Sequence, residues 1–268
     1  MQLMVILMVF LFGLVIGSFL NVVIYRTLND ESPFKGRSRC PKCKKVIAWY
    51  DNIPLLSYFL LGGKCRKCKN PISTQYPIVE GMTGILFVWW YVVGFAFFSL
   101  TSHPLTVIQP AYWLVIGILL LIILVTDFMT YLIPDFTVAS IALLSLIYRV
   151  YLVQSGVMVA TDMWNAVYSG AGLGLFFYLL VKVTKGRGMG MGDVYFAFAL
   201  GLLLGWPRSL IAVFLAFLIG AVSGILLILL KKKSFGQTIP FGPFLVLGTL
   251  AALMWGYDVW LWYLGLLV

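Results

Sequence analysis

The sequence predicts an all-α protein: a polytopic integral membrane bundle of about eight transmembrane helices, with a small cysteine-bearing loop on its cytoplasmic side. Three observations predict it. The 268-residue chain is 62% hydrophobic and only 10% charged, whereas about a quarter of a soluble domain is charged. Its apolar residues fall in long runs, and roughly 20 such residues cross a bilayer as a helix that satisfies its own backbone. Its cations also sit on one side. Alternating the runs across a membrane places seventeen of the nineteen Lys and Arg on one face and only Arg149 and Arg208 on the other. That bias makes the loaded face cytoplasmic.

Taken in order, the runs cover 3–25, 77–99, 111–127, 136–153, 164–182, 194–206, 208–230 and 242–257. The sixth is shorter than a comfortable span, and 258–268 reads as an interfacial or partly inserted end. The chain then divides into a first transmembrane helix (1–25), a cytoplasmic loop (26–76) and a transmembrane helical core (77–268). The first run does not read as a cleavable signal, because "MQLM" lacks Lys and Arg and no small-residue cleavage pattern follows. It runs into "GSFLNVVIYR", with Arg26 as a cytoplasmic stop. Eleven cations lie in 26–69, while Lys182, Lys185 and Arg187 precede the sixth run and Lys231, Lys232 and Lys233 follow the seventh. The net charge of +10 is therefore a property of the membrane face. Anionic lipid headgroups are its expected partners, and nucleic acid is not.

The loop holds all four cysteines, Cys40 and Cys43, then Cys65 and Cys68, in "RCPKCKKVIAWYDNIPLLSYFLLGGKCRKCKNPIS". Two C-x-x-C pairs match a structural zinc site, since two intervening residues let one tight turn aim both sulfurs at one ion. Flanking Lys and Arg offset the charge of four thiolates on a divalent cation. Two disulfides are the bland alternative, disfavoured by a reducing cytosol; an iron–sulfur cluster is the other rival. Asp51, between the pairs, reads as a turn or cap residue.

Most catalytic patterns are absent. The single histidine, His103, reads as a solvated loop residue on the outer side and excludes an H-E-x-x-H zinc protease. "GAVSG" has the wrong spacing for a nucleophile elbow, and "GRGMGMGD" breaks the dinucleotide fingerprint at its last position. Carboxylates remain. Glu80, Asp127, Asp135 and Asp193 sit at the cytoplasmic ends of apolar helices, where an ionisable group is expensive to bury. Asp135 opens the fourth span after Pro134, as an N-cap would. Asp127 lies at the C-terminal end of its helix, where the macrodipole disfavours negative charge, so it gains nothing structurally there. Asp193 can serve as an N-cap, but a cap does not explain Gly188, Gly190 and Gly192 before it. Those glycines allow positive φ or the close approach of another backbone, such as an extended peptide. Opposite helix-dipole fields on Asp127 and Asp193 suit a dyad sharing one proton, one carboxylate activating water and the other protonating a scissile carbonyl.

These residues carry a resemblance. "GMGD" at 190–193 resembles the G-x-G-D motif of intramembrane-type aspartyl proteases, and "TDFMTYLIPD" at 126–135 resembles the first aspartate motif of type IV prepilin peptidases. "GSFLNVVIYR", the tetracysteine loop with "NIPLLSY", "YPIVE" at 76–80 and "IPFGPFL" at 239–245 follow that family's order. The resemblance implies a leader peptidase of the bacterial cytoplasmic membrane, with Asp127 and Asp193 catalytic at the cytoplasmic face. Its substrates would be type IV prepilins or pseudopilins. Members with the cysteine loop resemble the bifunctional type, which implies N-methylation of the new N-terminus from S-adenosylmethionine. Glu80 is then a contributor to that activity or to holding the substrate amine; its bland reading is a helix-start carboxylate favoured by the dipole. The rival class is a transporter with Asp127 and Asp193 as proton or cation sites, which inverted repeats would support. The sequence has no convincing internal symmetry.

Overall fold

The structure, a computed structural model, describes residues 2–29, 31–32, 35–94, 105–186, 188–232, 234 and 237–266. His103, Asp30, Arg187, Lys233 and positions 95–99 of the second predicted span lie outside the described residues. Among those described, the regular structure is helical: α1 (Gln2–Thr27), α2 (Leu56–Leu60), α3 (Gln75–Trp89, continuing into a π turn), α4 (Leu105–Thr130), α5 (Asp135–Gln154), α6 (Ala160–Thr184), α7 (Met191–Leu204), α8 (Arg208–Leu229) and α9 (Gly242–Gly265). Seven of these are long and apolar enough to cross a membrane. The eighth, α7, has 14 residues, about 21 Å of helix, which falls short of a hydrocarbon core of about 30 Å. The last helix runs past the predicted end of the eighth run at 257, continuing unbroken to Gly265.

Large apolar side chains such as Leu7, Phe12 and Val15 on α1, and Phe214 and Leu218 on α8, point outward. That much exposed apolar surface fits lipid, not water. In lipid the hydrophobic effect does not drive helices together, so close packing must. The chain divides into two compact units, Met1–Ile118 and Leu119–Val268.

In the first unit α1 packs along α3 through the G-x-x-x-G of Gly13 and Gly17. A Cβ on Gly13 would lie 2.8 Å from Gly84 Cα, and one on Gly17 would lie 2.7 Å from Glu80 Cα. Small residues let the two backbones meet. In the second unit α6 meets α7 at Gly170 and Gly201, and α8 meets α9 at Ala212 and Gly248. The short α7 stops at Gly205, whose φ of 68° is left-handed. Its last carbonyls are satisfied from α5: Arg149 donates from Nε to Leu202 O (2.7 Å) and from Nη2 to Leu203 O (3.1 Å). A cation at a helix C-terminus also complements the dipole, so Arg149 lets a helix end where water cannot supply donors.

Gly201→Ala is expected to destabilise the protein by about 2 kcal/mol or more, because its Cβ would lie 2.4 Å from Gly170 Cα. Gly172→Ala, where a Cβ meets nothing within 4 Å, should be neutral or slightly stabilising. Thermal unfolding of both variants in one detergent checks the contrast.

Candidate active site and metal centre

In the second unit α4 delivers Asp127 one turn before its end. The Tyr131 N–H bonds back to the Asp127 carbonyl (2.9 Å), and Tyr131 turns left-handed at φ 58°, which ends the helix. The Asp127 side chain is 5% exposed. Its Oδ2 accepts the backbone N–H of Gly242 at 2.8 Å, the first residue of α9. The expectation that this carboxylate gains nothing structurally is therefore corrected. It stands at the unfavourable end of its own helix but caps the positive end of another, where free N–H groups and the dipole both favour an anion.

Two features hold Gly242 in place. Phe241 packs against Phe217 (ring centroids 4.9 Å apart) and Phe177 (6.0 Å), anchoring the start of α9 to α8 and α6. Position 242 also tolerates no side chain, since a Cβ would lie 2.6 Å from Asp127 Oδ2. Sequence reasoning recognised "IPFGPFL" as a motif but assigned Gly242 no role. The signal was there; its partner, 115 positions away, was not readable.

Asp193 lies in the first turn of α7, but Gly190 occupies the N-cap position and Asp193 is the third helical residue. Its Oδ2 reaches back to the Gly190 N–H at 3.1 Å, the return half of a capping box. Asp193 is 8% exposed, and its Oδ1 is buried with no hydrogen-bond partner. Asp127 lies within electrostatic reach of it. The segment following α4 also comes close to this turn, because a Cβ on Gly192 would lie 3.2 Å from Ile133 Cβ. The structure thus sets the start of α7 against the segment that follows α4, with Asp193 in the electrostatic field of Asp127.

Of the three glycines, Gly192 allows that close approach, while a Cβ on Gly188 would meet nothing within 4 Å. None of the three has positive φ; the left-handed residues are Lys185 and Gly186. Asp135 is not the predicted N-cap: Pro134 holds that position, with no side-chain cap bond, and Asp135 is the first helical residue. It sits exposed where the dipole favours it.

In the first unit the four sulfurs lie within 4.8 Å of one another, and all four cysteines are free. Cys40 Sγ and Cys68 Sγ are 3.9 Å apart, far beyond a disulfide bond. A tetrahedral site with metal–sulfur bonds of about 2.3 Å separates its sulfurs by about 3.8 Å, so the set fits one ion. The two knuckles repeat one backbone pattern. Cys40 N–H bonds Lys45 O and Lys44 N–H bonds Cys40 O; Cys65 N–H bonds Asn70 O and Lys69 N–H bonds Cys65 O. Lys44 and Lys69 are both left-handed, at φ 58° and 59°. Backbone N–H groups of Cys68 and Lys67 lower Cys65 to about 7. Cys68 also receives a favourable N–H from Asn70, but burial and the neighbouring sulfurs outweigh it and push that thiol up to about 11. Four sulfurs so crowded need a cation to become thiolates together.

Asp51 is a brace. It accepts Arg66 Nε at 2.9 and 3.0 Å and Nη2 at 2.7 Å, tying the turn Trp49–Asn52 to the second knuckle. Glu80 is buried in the second turn of α3, not at the helix start. Its Oε2 accepts the Leu55 N–H at 2.8 Å. One turn along the same seam Asn21 donates to Tyr76 O (3.1 Å), while its own Oδ1 is buried without a partner.

Comparison with known proteins identifies relatives over almost the whole chain. Residues 11–93 match the bacterial peptidase A24 N-terminal domain, and residues 114–225 match the type IV leader peptidase family. The chain is similar to the prepilin leader peptidase/N-methyltransferase of Legionella pneumophila, 33% identical over 97% of this chain and 94% of that protein. It is 34% identical to that of Aeromonas hydrophila over 96% and 93%, and 29% identical to that of Bacillus subtilis over 93% and 94%. No solved structure matches.

Gly242→Ala is expected to cost about 1–3 kcal/mol of stability by displacing Asp127. Because the two residues share one bond, Gly242→Ala and Asp127→Ala should be strongly non-additive in thermal unfolding. Additive losses would show that the contact does not hold α9 to α4.

Proposed function

Because the chain belongs to the type IV leader peptidase family, we propose that it is a membrane aspartyl endopeptidase with Asp127 and Asp193 as its catalytic pair. It removes the basic leader of type IV prepilins or pseudopilins at the cytoplasmic face of a bacterial inner membrane, then N-methylates the new N-terminal residue. One observation carries the reading. Asp193 Oδ1 is a buried carboxylate oxygen left without a partner in the field of Asp127. Buried polar atoms are almost always paired, so an orphan beside a second acid supports a site for water and peptide.

Hydrolysis requires a proton to leave water as it attacks and another to reach the carbonyl oxygen. Two carboxylates sharing one proton can do both, because neighbouring like charges disfavour double ionisation. The Gly190 and Gly242 N–H groups each hold an Oδ2, fixing the carboxyl planes and leaving Asp193 Oδ1 uncommitted. The open surface at Gly188 gives an extended peptide access beside the pair. A prepilin places its scissile bond where an apolar helix meets cytosol, and the end of α4 and the start of α7 would lie at that level in the positive-inside topology.

Cys40, Cys43, Cys65 and Cys68 would hold one zinc ion, which cross-links the two knuckles. S-adenosylmethionine would supply the methyl group. The seam of Glu80 and Asn21 fits an ammonium, either the donor's own or the substrate amine, since it offers a buried carboxylate and an unpartnered amide oxygen. The basic loop would face anionic lipid headgroups.

Asp127→Asn and Asp193→Asn should each lower leader cleavage by about a thousandfold or more, with normal expression. The mass of a prepilin incubated with membranes reads this out, and processing that survives either change would refute the pair. Purified protein should carry about one zinc per chain by elemental analysis. Cys40→Ser should remove it and impair methylation more than cleavage, whereas equal loss of both would indicate a purely structural metal.

A further inference from the structure

We propose that the outward face of α2 is a membrane-docking surface, seated at the headgroup–acyl boundary of an anionic bilayer on the cytoplasmic side. The proposal rests on the placement of the loop and not on the peptidase chemistry.

The helix is built inside out. Its polar residue Ser57 is 7% exposed, accepting the Ile53 N–H (3.0 Å) and donating to Tyr50 O (2.9 Å). Leu56, Phe59 and Leu60 are 51%, 71% and 76% exposed. Positions i, i+3 and i+4 share one helix face, so the outward face is wholly apolar. A polar side chain turned inward and three large apolar ones turned out is the reverse of a water-facing helix.

The level of α2 is set independently. Leu55, just before it, is left-handed at φ 58°, and its N–H is bonded to Glu80. Glu80 is the sixth residue of α3, about 8 Å along that membrane helix from its start. The bond therefore holds the start of α2 against the second turn of a transmembrane segment, at interfacial depth. Exposed Trp49 and Tyr50 stand beside it in sequence, the residue types that favour that layer.

Charge selects among occupants. The flanking knuckles present Lys42, Lys44, Lys45, Lys64, Lys67 and Lys69, which complement anionic headgroups and repel a basic peptide. Both ends of the loop continue into membrane helices, so the bilayer already adjoins this face. An apolar face rimmed by cations is what an interfacial helix requires.

The test uses the full chain with p-benzoylphenylalanine at position 59, in nanodiscs of phosphatidylglycerol with phosphatidylethanolamine. Illumination should add phospholipid masses to the peptide containing residue 59, at several-fold lower yield in phosphatidylcholine alone. Phe59→Ser combined with Leu60→Ser should speed amide exchange over 53–63 by about tenfold in the anionic nanodiscs, leaving α1 unchanged. Cross-links to a second copy or to an added prepilin in place of lipid would overturn the proposal. So would no lipid adduct, or unchanged exchange in the double variant.

Discussion

A carboxylate buried among apolar helices must find donors within the protein, because the bilayer offers none. Asp127 finds its donor at the first N–H of α9, and much of the second unit follows from that bond. It requires glycine at 242, where a side chain would collide with the carboxylate. It needs the start of α9 held still, which Phe241 achieves between Phe177 and Phe217. It also fixes the end of α4, and the segment that follows packs Ile133 over Gly192 at the start of α7. The second aspartate is thereby positioned through the first.

The same requirement explains features remote from the acids. A helix too short for the hydrocarbon leaves carbonyls that water cannot reach, and Arg149 supplies their donors from α5. Helices that gain nothing by hiding apolar surface from lipid gain by dispersion at close range. The backbones therefore meet at Gly13, Gly17 and Gly84 in one unit and at Gly170, Gly201 and Gly248 in the other. Both devices serve one physical end, holding helices together where solvent contributes nothing.

The cysteine-bearing loop follows a different logic. It has little apolar core, so its order comes from local bonds: two knuckles with one backbone pattern, the Asp51–Arg66 pair across them, and Glu80 reaching Leu55 from a membrane helix. A metal at the four sulfurs would join these pieces into one body. A membrane surface under α2 would complete the burial that the loop by itself lacks.

What the sequence determined by itself was whatever depends on local composition and spacing. Apolar runs yielded the helices, because a spanning segment must be continuous. Paired C-x-x-C turns yielded the sulfur cluster, because each knuckle is a local structure. Asp127 and Asp193 were legible as candidates since charge at membrane depth is conspicuous. Only the tertiary structure decided how each carboxylate is held. The bond from Gly242 to Asp127 joins residues 115 positions apart, and no local periodicity encodes such a pairing. The same holds for Glu80, which read as a helix-start acid but accepts a bond from a loop 25 residues earlier. Asp135 resembled a cap in sequence and is not one, because a one-residue shift of a helix start lies below what spacing can resolve.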